Sequence, residues 1–340
     1  MTTTTRPDHE TLRGAIALAG RAPSVHNTQP WRFLIGEHSV HLMADRARAL
    51  PATDPDGRDL LISCGAALHH LHTALAALGW NSEVHRIPNP ADPDHLAALE
   101  PHRHTPSDED IALAAAIPRR HTDRRSFSSW PVPPGHLDLI IRRAGRLGAL
   151  LIPVTDARLR THLVTAISQA ASTQQADPAY TAELAAWTGR SRLAEDGVPA
   201  TSTLAGPAFH GDTRMRDFPH GTLVESAADL AETDAGELLV LATPDDDPTS
   251  WLRAGEAASA ALLTATDLNL AGCPLSQALE VADTHALIQE HVLDNDAVPH
   301  LILRVGWVHT AAAPLPQSPR RPVNEITDSL PGTAHRSHER

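Results

Sequence analysis

Apolar residues recur at helical spacing in two long stretches of this chain. Over 58–78, Leu61, Leu68, Leu71, Leu75 and Leu78 fall on one stripe, which predicts a long amphipathic helix. A second run over 251–270 is similar. When Gly65 is set against Gly255, Ala67 meets Ala257 and Leu78 meets Leu268 without a gap. Both runs are dense in Ala and Gly, which would let two long helices approach closely. Shorter helical patterns cover 10–22, 108–117 and 137–147. The segments 31–35 and 40–43, separated by Gly36-Glu37-His38, predict a β-hairpin. Short strands are expected at 83–87, 150–154 and 300–308, the first closed by the stretch from Pro88 to Pro93.

Helix, strand, long helix and strand thus occur twice in the same order. Two imperfect copies explain this, as would two unrelated Ala-rich helices in an Ala-rich protein. On the first reading, residues 1–118 form one half and 119–330 the other, with 331–340 a tail; 1–7 also read as irregular. An extra region over 177–235 holds one helical piece at 180–187. Beyond Asp196-Gly197-Val198-Pro199 it is rich in Gly, Pro and His through Gly221, the composition of a lid, a binding loop or a disordered segment.

With 41% apolar and 20% charged residues in 340, the chain reads as globular. No run of about 18 purely apolar residues occurs, so no membrane span is expected. The N-terminus has neither a basic nor an apolar leader region, and Cys64 and Cys273 each sit in apolar surroundings. A cytoplasmic protein with two buried thiols is the expectation. The net charge of −13 argues against nucleic-acid or anionic-membrane partners. There is no lysine, so all 28 basic residues are arginine.

Against that background Arg119-Arg120-His121-Thr122-Asp123-Arg124-Arg125 concentrates four arginines in seven residues. Planar guanidinium donors and a hydroxyl suit phosphate oxygens, although a solvated charge run has the same appearance. The second motif is Pro23-Ser24-Val25-His26-Asn27-Thr28-Gln29-Pro30-Trp31. It places hydrogen-bonding side chains on a turn between helix and strand, where Ser24 and Asn27 could equally be caps. His69, His70 and His72, with His102 and His104, suggest a metal. No carboxylate or cysteine at ligand spacing completes a site, so none is expected.

Together the two motifs resemble the nitroreductase family. Pro23 to Trp31 matches its Pro-Ser-x-x-Asn-x-Gln-Pro-Trp element in full, and Arg120 to Arg124 matches its Arg-Arg-Ser-x-Arg-like element with Thr122 in place of Ser. Here the two occur in reversed order, and each half retains only one. That arrangement resembles the fused-repeat Acg family. Leu268 to Ser276 resembles the segment lying over the flavin, without its usual acidic residue after the proline. Arg320, in Pro319-Arg320-Arg321-Pro322, resembles the closing arginine.

The resemblance implies an α+β fold of two fused halves related by a pseudo-twofold, with the long helices central. It implies one FMN per chain, NAD(P)H as co-substrate, and a monomer that mimics the family's homodimer. The implied flavin-binding residues are Pro23, Ser24, Val25, Asn27, Gln29, Arg120, His121, Thr122, Arg124, Pro274, Leu275, Ser276 and Arg320. FMN would carry the chemistry, and no catalytic side chain is expected. The implied reaction is reduction of a nitroaromatic, quinone or other electron-poor small molecule. A flavin reservoir or sensor closed by the 177–235 region, and a flavin-dependent dehydrogenase or oxidase of a biosynthetic substrate, are the alternatives.

Overall fold

The computed structural model describes residues 6–190 and 194–331. The irregular tails expected at 1–7 and 331–340 lie almost wholly outside the described residues.

The first half opens with α1 (His9–Ala19), whose N-terminus is held by the Asp8 carboxylate accepting from the Thr11 N–H at 2.7 Å. The hairpin β1 (Trp31–Ile35) and β2 (Val40–Ala44) follows, then the twenty-residue α2 (Arg58–Ala77), β3 (Trp80–Arg86) and β4 (His95–Arg103). A connecting helix, α3 (Asp108–Ala116), begins in a capping box between Ser107 and Asp110.

The second half runs α4 (Pro134–Gly145), β5 (Leu150–Pro153), α5 (Ala157–Gln175), α6 (Pro178–Trp187), β6 (Phe209–His210), β7 (Thr213–Arg214), α7 (Ala227–Ala231) and β8 (Glu237–Thr243). It continues with the twenty-residue α8 (Pro248–Asp267), β9 (Ala271–Leu275), α9 (Gln277–Glu280), α10 (Ala282–His291) and β10 (Val298–Gly306). The last element among the described residues is β11 (Thr327–Ser329).

The sheets carry the repeat. One is ordered β11-β1-β2-β4-β3 and the other β5-β8-β10-β9. Without β11, every pair in both is antiparallel. The fold is therefore two copies of helix, two strands, long helix, two strands. The second copy departs between β5 and β8, beginning at α5 rather than at 177.

The two sheets read differently in sequence because their faces are covered differently. In the first, α1 and α2 pack on one face, and β2 alternates strictly between buried and half-buried residues. In the second, α4 and α8 cover one face and α5, α9 and α10 the other. β8 and β10 are accordingly buried almost without interruption.

At the centre α2 crosses α8. A Cβ on Gly65 would overlap the Leu252 carbonyl oxygen, and one on Gly255 would overlap that of Ile62. Each pair of positions is related by the same offset that aligned the two helices in sequence, so the crossing lies on the pseudo-twofold. Ser259 of α8 then meets both His69 Nδ1 at 2.8 Å and His70 Nδ1 at 2.9 Å, giving two of the histidines a place in the crossing. Glu256 reaches into the other half, accepting two hydrogen bonds from Arg86 at 2.7 and 2.8 Å.

By length and composition α2 is apolar enough to cross a membrane, contrary to the expectation from apolar runs alone. Its most apolar window is 89% buried inside the fold. The apolarity belongs to a central helix with neighbours all round. Both cysteines are buried and unpaired.

Gly65→Ala and Gly255→Ala should each destabilise the fold by about 1–3 kcal/mol, because the added methyl meets backbone that cannot yield. Gly14→Ala, on the exposed face of α1 with open space around its Cβ position, should stabilise by about 0.5–1 kcal/mol. Thermal or urea unfolding of the three variants checks both signs.

Candidate flavin-type site

Three segments converge beside the helix crossing. The turn between α1 and β1 has an unusual backbone: His26, Asn27 and Gln29 have φ of 49°, 55° and 53°. Such left-handed non-glycine residues are costly and cluster where a site needs them. The Arg motif docks on the second half through a parallel bridge between Thr122 and Gly272 of β9. The returning C-terminal chain lays Arg320 against the turn, its Nη1 donating to Asn27 Oδ1 at 2.9 Å, before β11 pairs in parallel with β1.

Two adjoining cavities result. The larger, about 980 Å³ and open to solvent, is bounded by Pro23, Ser24 and Val25 on one side and by Cys273, Pro274, Leu275 and Ser276 on another. Ile62, Ala66, Ala258 and Leu262 of the crossed helices form its floor, and Arg214, Met215, Arg216 and Phe218 of the region between β5 and β8 close over it. The smaller, about 520 Å³, is lined by Ser24, Asn27, Arg120, His121, Thr122 and Arg320 among others. Pro23, Ser24, His26, Thr122 and Arg124 border both.

The smaller cavity is cationic in a protein of net charge −13. Arg120 is buried, and its Nε and Nη1 have no hydrogen-bond partner among the described residues. Burial and the nearby Arg21 push its pKa down to about 10. Burial, Arg120 and Arg21 push Arg320 down to about 9, and its Nε is also without a partner. Neither forms an ion pair among the described residues. Ser24 Oγ accepts the Gln29 N–H at 3.0 Å, which leaves its own proton free to donate. Buried cations without an anion are costly, so this constellation is built to receive an anionic group.

Arg124 borders both cavities with its guanidinium stacked on Phe218, 4.7 Å from the ring centre. Its Nη1 donates to the Ser202 carbonyl at 3.1 Å.

Of the thirteen residues expected at the site, twelve line one cavity or the other. Gln29 lines neither: its amide donates to the Glu195 carbonyl at 2.9 Å and accepts the Arg321 N–H at 2.9 Å. It ties the turn to two other segments and has no group left for a ligand. Asn27 reaches the smaller cavity with its amide similarly engaged, donating to Gly197 and Pro319 carbonyls and accepting from Arg320. Its part is to hold Arg320. Residues absent from the expectation are Arg21, His26, Asp59 and the pair Arg214 and Arg216. Arg214-Met215-Arg216 was the one visible signal, two cations flanking an apolar residue in a Gly- and Pro-rich stretch.

A mixed α+β fold of two mainly antiparallel sheets around a crossed helix pair, with a cationic cleft between its halves, defines the class. The comparisons with known proteins agree. Residues 117–307 match the Nitroreductase family. The provisionally named NAD(P)H nitroreductase Rv3131 of Mycobacterium tuberculosis is 42% identical over 95% of this chain and 92% of its own length. The provisionally named NAD(P)H nitroreductase acg of the same organism is 36% identical over 93% and 95%. A crystal structure of a provisionally named nitroreductase from Anabaena variabilis aligns over 90% of both chains with a TM-score of 0.50 and 10% identity, a likeness of fold. This chain belongs to the nitroreductase family.

Arg120→Met should raise the melting temperature of the ligand-free protein by several degrees, because it removes a buried charge that nothing offsets. It should abolish any stabilisation of the protein by added inorganic phosphate. Differential scanning calorimetry with and without phosphate measures both.

Proposed function

We propose that this chain holds one FMN and uses it to pass electrons from NAD(P)H to a small electron-poor acceptor such as a quinone or nitroaromatic. The supporting observation is the pair of buried guanidiniums, Arg120 and Arg320, left without an anion beside Ser24 and Thr122. A phosphate monoester there would accept charge-assisted hydrogen bonds from guanidinium N–H groups for which no described residue offers an acceptor. The relatives' names support NAD(P)H as the reductant.

When bound, FMN would supply the hydride chemistry. Arg120 and Arg320 would hold its phosphate, with Ser24 and Thr122 donating hydroxyl protons and His121 packing alongside. Arg124 would offset negative charge on the reduced ring. Pro23, Val25, Pro274, Leu275 and Ser276 would wall the ring, with Met215 and Phe218 excluding water above it.

Residues 1–118 and 119–330 then act as the two fused halves, and one chain suffices. In the first half the link from α1 to β1 spans 20–30 and carries the motif. In the second, the link from α4 to β5 is only 146–149 and has no counterpart, which supports one flavin per chain and a monomer.

Reconstituted protein should contain FMN at one per chain and bleach under anaerobic NADPH. Arg120→Ala and Arg320→Ala should each weaken FMN binding, losing about 1.5–3 kcal/mol or one to two decades in affinity. Arg142→Ala, an exposed residue of α4, should leave it intact. A stoichiometry of two, or equal flavin content in all three variants, would overturn the assignment.

One observation favours the reservoir reading. Arg216, its side chain 8% exposed, is ion-paired to the buried Glu280 and hydrogen-bonds Ser276 Oγ at 3.2 Å, fastening the covering segment across the cleft. Arg216→Ala should free that segment and speed bleaching by NADPH at unchanged flavin content. A wild-type protein that resists bleaching while the variant bleaches would establish the reservoir.

A further inference from the structure

The first turn of α2 places Asp59 in the wall of the larger cavity, near Val25 and Ser63. Its side chain is 3% exposed, and Oδ2 has no hydrogen-bond partner among the described residues. A carboxylate so placed would normally use the N–H groups of the helix N-terminus. Here Asp54 has taken them, accepting from Asp59 N at 3.1 Å and Leu60 N at 2.8 Å.

The surrounding cations compensate only in part. Arg58 Nε forms an ion pair with Asp59 Oδ1 at 3.6 Å, too long for a hydrogen bond, and its Nη2 donates to the Leu279 carbonyl. Arg216, from the covering segment, is ion-paired with Glu280 of α9 and also donates to Tyr180 Oη at 3.1 Å. The nearest charges are therefore two acids, Asp54 and Glu280, Arg58 in its long ion pair, and Arg216, which is committed to Glu280. His26, in the turn opposite, is kept neutral by burial, with Arg216 and Arg124 adding to the effect.

We infer that Asp59 is a carboxylic acid that protonates the acceptor as it is reduced in the cleft. This rests on the flavin reading above. Burial, Asp54 and Glu280 outweigh the two arginines and raise the Asp59 pKa to about 8, so the group carries its proton at neutral pH. In the step, the acceptor would take up a hydride whose two electrons bound FMN would supply. The O–H bond of Asp59 breaks, and its proton forms a new O–H bond on the acceptor oxygen where negative charge accumulates. The carboxylate left behind takes a proton from water, and NAD(P)H restores the hydride. Acceptors of the quinone or nitro type, whose charge builds on oxygen, are the class this acid serves. An acceptor that takes electrons without a proton does not need it.

The test uses flavin-loaded protein photoreduced without NAD(P)H, then mixed with either 1,4-naphthoquinone or ferricyanide. Asp59→Asn should slow reoxidation by the quinone about 100-fold, within the usual contribution of a general acid, and leave ferricyanide unaffected. In the wild type the quinone rate should be flat below pH 8 and fall above it, since the acid form is lost there. Independently of turnover, infrared spectra of flavin-free protein should show a protonated carboxyl band at pH 7 that fades above pH 8 and is missing in Asp59→Asn.

Equal slowing with both oxidants would make Asp59 structural, and an unchanged quinone rate would remove it from the reaction. Either overturns the inference, as does absence of the infrared band in wild type. A protein that takes up no flavin overturns the underlying reading and this one with it. A flavin-loaded Asp59→Asn that matches wild type overturns the acid alone.

Discussion

Everything in this molecule depends on how closely α2 and α8 approach. Gly65 faces the Leu252 carbonyl and Gly255 that of Ile62, leaving no space for a side chain at either point. Backbone-to-backbone contact is short-ranged and unforgiving, so it fixes the relative position of the halves more tightly than side-chain packing alone. The cleft floor is made of the flanks of the same helices, Ile62 and Ala66 from one and Ala258 and Leu262 from the other. The crossing thus sets both the fold's symmetry and the shape of its binding surface. Glu256 and Arg86, and Ser259 with the two histidines, secure it with polar contacts across the halves.

Within that rigid frame the site is electrostatically unbalanced. The larger cavity wall holds Asp59 with an unpartnered carboxyl oxygen, and the smaller cavity holds Arg120 and Arg320 without an anion. These groups would be better solvated in the unfolded chain, so the core must supply the free energy that keeps them buried. Ligand-free stability is lowered by these side chains. Strained backbone at His26, Asn27 and Gln29 is a second cost at the same place.

The sequence disclosed the site better than the fold around it. Contiguous motifs marked the turn at 23–31 and the Arg cluster, because each is a local run of unusual residues. The two long helices were legible from periodicity, and Gly65 and Gly255 from their alignment. β8 was not foreseen: its Leu238-Leu239-Val240-Leu241-Ala242 run is buried on both faces and lacks the alternation that marks a half-exposed strand. β4 and α5 leave no comparable mark in the sequence, and the region between β5 and β8 begins at α5 rather than at the expected 177. Gln29 was read as a ligand because a side-chain amide offers the same groups to a ligand as to a neighbouring loop. Asp59 does not stand out in the sequence as a functional group, since its character comes from burial and from Glu280, which only the folded chain brings near. Arg216 likewise acquires its meaning from Glu280, 64 residues away.

The C-terminal strand has a consequence for how the molecule is made. β11 completes the sheet that begins with β1, and Arg320 reaches the smaller cavity just before it. The first half must therefore wait, with one edge of its sheet unpaired, until residues 327–329 have been added. Any chain stopped short of 320 would lack both that edge and one of the two cations. The smaller cavity can thus close only after the chain has grown past residue 320, long after Arg120 has been made.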